Sequence, residues 1–118
     1  MTIETPRVAK PEWLAERPPR AQIPTWLGEA GLGPGETEAI ALALELDAPW
    51  LVLDERRATG FARASGLHVI GTLGILLLSK SAGLLPSVRP AIDDLLATGF
   101  HLAPWLVTDA LSTAGEGP

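Results

Sequence analysis

The sequence contains no cysteine, which removes disulfides, thiol catalysis and thiolate metal sites and fits a cytoplasmic protein. Positive charge is also scarce. The 9 Lys and Arg residues face 14 Asp and Glu, for a net charge of −5, so the chain has no global electrostatic footprint for nucleic acid and any such contact must be local. Long apolar runs are missing too. The stretch from Leu73 to Leu78 is far below the roughly 20 residues needed to cross a bilayer, and is read as a core helix. Prolines and charges interrupt the N-terminal residues, where a signal peptide would need an apolar core. Neither a membrane span nor secretion is expected. No repeat of solenoid period is found. What remains is a chain of 118 residues with 47% hydrophobic content, enough for one domain with a real core.

The organising stretch runs from Gly33 to Arg57, GPGETEAIALALELDAPWLVLDERR. Gly33, Pro34 and Gly35 break preceding structure, and Glu36 and Glu38 fall in a first helical turn, where negative charge is favoured. Ala39 to Leu44 and Leu46 leave few positions for a solvated face, so this helix is expected to be buried on more than one side. Asp47 and Pro49 end it. Trp50 to Leu53 is an apolar run without alternation, which fits a strand covered on both faces. A helix joined by a tight turn to the next strand brings its own start to the strand's end. Glu36, Glu38, Asp54 and Glu55 are therefore expected at the carboxyl edge of the sheet, where open α/β sheets bind ligands. The plainer alternative is that Glu36 and Glu38 only complement the helix dipole and Asp54 only begins a turn.

The flanking segments extend the rhythm. Residues 1–31 are rich in proline, with apolar anchors at Trp13, Leu14, Trp26 and Leu27, and read as an arm or linker with one helical turn near Glu12 to Glu16, pinned by aromatic contacts. A helix from Arg56 to Ser65, loosened at Thr59 and Gly60, leads into a second strand at Leu67 to Ile70. Helix and strand alternate as in a parallel sheet. Thr72 is read as the N-cap of a helix over Leu73 to Ser81. Lys80 is expected to snorkel to solvent. An amphipathic helix over Pro90 to Thr98 and a final helix from Pro104 to Leu111 follow, and residues 115–118 read as a disordered tail.

Carboxylates gathered at one point repel unless a cation neutralises them, and oxygen-only ligands suit Mg²⁺ or Mn²⁺, which can activate water at a phosphoryl centre. Glu36 and Glu38 are two apart and do not share a helix face. Only one is expected to reach toward Asp54, and the sequence does not say which. His68 and His101 have no acid or histidine at ligand spacing and read as structural. Arg56, Arg57 and Arg63 follow the acidic edge and read either as a solvated face or as a hold on an RNA backbone. GPGETEAI lacks the lysine of a phosphate loop, and no serine sits in a nucleophile elbow.

In order and spacing, GPGETEAIALALEL, LVLDERR and GLHVIGTLGILLLSKSAGLLPSVRPAIDDLLATGF resemble the C-terminal portion of PIN-like proteins of prokaryotes that carry a domain-of-unknown-function label and are related to VapC-type toxins. The resemblance covers residues 32–114. It implies an α/β/α three-layer fold with a short, mostly parallel sheet. It also implies an acidic Mg²⁺ or Mn²⁺ site acting on RNA: Glu36, Glu38 and Asp54 as catalytic acids and metal ligands, Glu55 as a further ligand, and Thr72 and Arg57 positioning substrate. Two departures accompany it. No opening strand ending in aspartate and a small hydroxyl residue is found in residues 1–32, and Ala58 to Phe61 replaces a glycine-arginine pair. The expectation is a truncated PIN-like domain: a reduced relative, one completed by another chain, or one whose start has been lost. Its function is expected to be that of a metal-dependent endoribonuclease of toxin–antitoxin type. The alternative is a non-catalytic relative acting through self-association or an antitoxin or toxin partner, since loss of a central strand exposes ladder edges and apolar faces.

Overall fold

A computed structural model describes residues 10–117. These form six helices and a two-stranded parallel sheet, in the order α1 (Thr25–Gly28), α2 (Pro34–Leu46), β1 (Leu51–Val52), α3 (Arg56–Ala64), β2 (Val69–Ile70), α4 (Thr72–Ser81), α5 (Arg89–Ala97) and α6 (Pro104–Thr113). The fold is the α/β arrangement that the alternation of helical and apolar segments implies. The expectations for residues 1–9 and 118 lie outside the described residues.

The central helix α2 starts where the glycines and proline direct it. Gly33 is its N-cap and Pro34 its first residue, a position where the missing N–H costs nothing. Asp47, in the left-handed conformation at φ 50°, closes it. Leu51 pairs with Val69 and Val52 with Ile70, so the strands are two residues each, shorter than the apolar runs that contain them. α3 connects them and runs unbroken through Thr59 and Gly60. The expected loosening is absent, and Gly60 lies on the exposed side of the helix, where it leaves no gap in the core. Gly66, at φ +90°, then turns the chain into β2.

Two groups of buried side chains form the core. The first joins Leu27, Ile40, Ala41, Leu53, Ala58, Ala62 and Val69, packing α1, α2 and α3 on one face of the sheet. The second joins Leu73, Val88, Ile92, Ala110 and Leu111, from α4, α5 and α6. The opposite face of the sheet is open, which differs from the double coverage expected for β1. Val52 is 50% exposed, and Trp50, Ile75, Leu78 and Leu84 are exposed around it, enclosing with Ile70 an apolar hollow of about 300 Å³.

The second side of α2 is only partly covered. The arm runs beside it, with the Arg20 and Ala21 amides donating to the Glu45 carboxylate at 2.9 and 2.7 Å, while Leu46 remains exposed. The helical turn of the arm lies at α1 rather than near Glu12, where the chain makes a single turn closed by Leu14 N to Pro11 O. Trp26 stacks on Phe61, but Trp13 is 82% exposed, so one tryptophan and not both pins the arm.

The C-terminal residues also depart from the expected tail. The Glu116 amide donates to Leu111 O, and its carboxylate accepts from the Val88 amide, the Arg89 amide and Lys80 Nζ. Lys80 therefore does not snorkel: its Nζ also donates to Ala114 O at 2.6 Å. A cation inside an otherwise apolar helix has found the carbonyl end of α6 and an acid beside it.

Candidate acidic groove at the sheet edge

The end of β1 and the start of α2 come to one edge of the molecule. A groove of about 610 Å³ opens there, lined by Glu36, Asp54, Glu55, Phe100 and His101 among others. Glu36, Asp54 and Glu55 are thus brought together. Glu38 is exposed on α2 and does not line the groove, so of the two glutamates Glu36 is the one in its lining.

Each carboxylate also has a structural contact. Asp54 Oδ1 accepts the Thr72 amide at 2.8 Å and Oδ2 accepts the Thr72 hydroxyl at 2.6 Å. Thr72 is therefore the first residue of α4 and not its N-cap. The cap position belongs to Gly71, and the acceptor that satisfies the helix start comes from Asp54, just beyond β1 and 18 residues earlier. A Cβ at position 71 would lie 3.0 Å from Asp54 Oδ1, a tight contact that the carboxylate would have to ease by a small shift.

Glu55 does the corresponding work for α3. Its carboxylate accepts the Arg57 amide at 2.9 Å and the Ala58 amide at 2.6 Å. These two N–H donors, Ala58 foremost, hold the Glu55 pKa below its ordinary value, because a carboxylate that accepts backbone hydrogen bonds keeps its charge. Glu36 folds back over Gly33, occupying the space a Cβ would take, in the first turn of α2 where its charge complements the helix dipole.

The remaining expected positions separate. The Arg57 guanidinium donates to Ala30 O at 3.3 Å, so it is turned toward the residues before α2. His68 is exposed and lies against Trp50, with ring centroids 5.8 Å apart. His101, read as structural from its sequence neighbours, is exposed and lines the acidic groove. Nothing in its spacing announces this, because it reaches the groove from the loop between α5 and α6, far along the chain.

A Mg²⁺-type cation demands near-octahedral oxygen ligation and takes only one or two carboxylates where water or phosphate supplies the rest. Among the described residues no group of three or more His, Cys, Asp or Glu side chains could hold a metal ion, and both Asp54 and Glu55 direct their oxygens at helix starts. The described residues do not by themselves fit a divalent-metal centre. Also among them, no helix is long and apolar enough to cross a membrane.

The comparisons with known proteins agree with this arrangement at the level of family. A family model described as DUF3368, a PIN domain, matches residues 1–116, taking in the proline-rich N-terminal residues as well as the segment from 32 to 114. No curated protein and no solved structure matches the chain. With a match spanning nearly the whole sequence, and an acidic edge at the end of a parallel strand, the chain belongs to the PIN domain family, whose members are nuclease-like and bind nucleic acid.

Proposed function

We propose that this chain is an RNA-directed PIN-type module whose own acids supply part, and not all, of a Mg²⁺ or Mn²⁺ site for phosphodiester cleavage. The observation that supports this is the meeting of Glu36, Asp54 and Glu55 on one groove. Asp54 is the central acid, since it follows β1 and lines the groove together with Glu36 of α2 and Glu55. Each carboxylate oxygen carries two lone pairs, so Asp54 can hold Thr72 and still present negative charge to the groove. Cleavage as an endoribonuclease of toxin–antitoxin type then requires at least one further carboxylate, brought by a partner chain or by chain outside the described residues. Thr72, held by Asp54, and Arg57, just beyond the acidic pair, are the positioning residues of this reading.

Mn²⁺ titration by calorimetry tests it. The purified chain should bind Mn²⁺ only at millimolar concentration, the binding should vanish in a folded Asp54→Asn variant, and the chain alone should not cut RNA. Absence of any binding at millimolar Mn²⁺ would refute the metal role of the groove. Mn²⁺-dependent cleavage by the isolated chain, abolished by Asp54→Asn, would refute its incompleteness.

One observation favours a second reading, in which the chain acts by association with a second copy of itself. The open sheet face around Val52, Trp50, Leu78 and Leu84 is contiguous apolar surface of the kind that marks protein contacts. It adjoins the edge of β1 that pairs with no strand among the described residues.

A further inference from the structure

A second groove begins on the other side of Glu55. It is about 730 Å³ in volume and is lined by Ala30, Leu32, Glu55, Arg56, Arg57 and Phe61. Glu55 lines both grooves, so the two are neighbours on either side of that residue, but their charges differ. The acidic groove presents Glu36, Asp54 and Glu55, whereas the second sets Arg56 and Arg57 against Glu55 alone.

The arginines have capacity to spare. Arg56 is exposed, and its side chain donates to none of the described residues. Arg57 uses one N–H on Ala30 O of the five that a guanidinium carries. Phe61, which lines the groove with them, stacks on Trp26 with ring centroids 5.8 Å apart and planes 21° from parallel. Trp26 is 53% exposed, so part of its aromatic surface remains open.

Forked cations beside an open aromatic ring match the two parts of a nucleotide. Guanidinium groups take phosphate oxygens in paired hydrogen bonds, and indole rings take bases by stacking. In a chain of net charge −5, this flank of α3 is where local positive charge offsets the general repulsion of a polyanion.

We propose that the groove between α3 and residues 30–32 is a track for single-stranded RNA, with Arg56 and Arg57 on phosphates and Trp26, stacked on the groove's Phe61, against a base, the strand passing Glu55 toward the acidic groove. The proposal rests on the RNA-directed reading above and adds where the strand lies. Single strands are specified because bases in a duplex are stacked on one another and offer no face to an indole.

Fluorescence anisotropy with a short labelled single-stranded RNA of mixed sequence, measured across a salt series, tests the track. Removing one arginine from a phosphate should reduce the slope of log affinity against log salt by roughly 0.7. Arg56→Gln should lower it by that amount, and Arg56→Gln with Arg57→Gln by roughly twice as much. Trp26→Leu should weaken binding by at least about fivefold with the slope unchanged, since stacking releases no counterion. Circular dichroism confirms folding, and Arg56→Gln, which breaks no hydrogen bond within the described residues, gives a readout free of folding effects. If the wild-type chain binds but Arg56→Gln changes neither affinity nor slope, the track is refuted and the RNA reading stands. Binding of duplex RNA as tight as that of the single strand would also refute the track. If the wild-type chain binds no RNA, the RNA reading itself fails.

Discussion

Asp54 and Glu55 are neighbours in sequence, yet each closes the start of a different helix. Asp54 holds α4 through Thr72, and Glu55 holds α3 through Arg57 and Ala58. Removing a carboxylate that satisfies a helix start typically costs about 1 kcal/mol. Asp54→Ala should therefore lower stability by about 1 kcal/mol in urea unfolding, and Asp54→Asn by less, because the threonine hydroxyl can turn from donor to acceptor. If Asp54→Ala leaves the urea midpoint where it was, Asp54 is not securing α4. The position of this acid could be read in the sequence, from an apolar strand ending in LDE. Thr72 could be placed at the same edge, but not its contact with Asp54. A hydroxyl before a helix reads as a cap from local preference, whereas Thr72 is in fact the residue being capped, by a side chain that only the parallel pairing brings near. His101 was hidden for the same reason.

At the scale of elements, helix limits were legible because glycine and proline mark them: Pro34 opens α2, Gly66 follows α3, and Pro104 opens α6. Strand limits were less so. Apolar runs of four residues pair over only two, since the ladder extends no further than the partner strand allows. The polar clamp across α4, α5 and α6 was not legible, because it is made by Glu116, which reads as part of a tail. Val88 and Lys80 donors, in that order of influence, together with the Arg89 amide hold the Glu116 pKa down to about 2. A carboxylate depressed in this way contributes stability that is complete above the ordinary glutamate value near 4.5 and is lost as pH falls toward about 2. Thermal unfolding across that window should show the wild-type midpoint falling more steeply than that of Glu116→Gln, which has no charge to lose. Parallel curves for the two proteins would mean that Glu116 does not clamp the three helices.

For the whole molecule, the open sheet face predicts concentration-dependent association. Sedimentation velocity should show the chain self-associating as its concentration rises, and Val52→Glu should return it to monomer by placing a charge in the apolar surface. A wild-type chain that stays monomeric throughout would leave that face without a second copy to cover it. The two core clusters share no buried residue, and the chain passes between them at Gly71 and Thr72, beside Asp54. The walls of the acidic groove are divided in the same way: Glu36, Asp54 and Glu55 belong to the first cluster's elements, while Phe100 and His101 come from the loop between helices of the second. The groove is therefore a seam between the two core clusters, and packed clusters of this kind can open at different free energies. If the α4 to α6 unit loosens while the sheet and its helices persist, one wall is lost and the carboxylates stay in place. The site can then fail through sub-global opening, well before the chain unfolds.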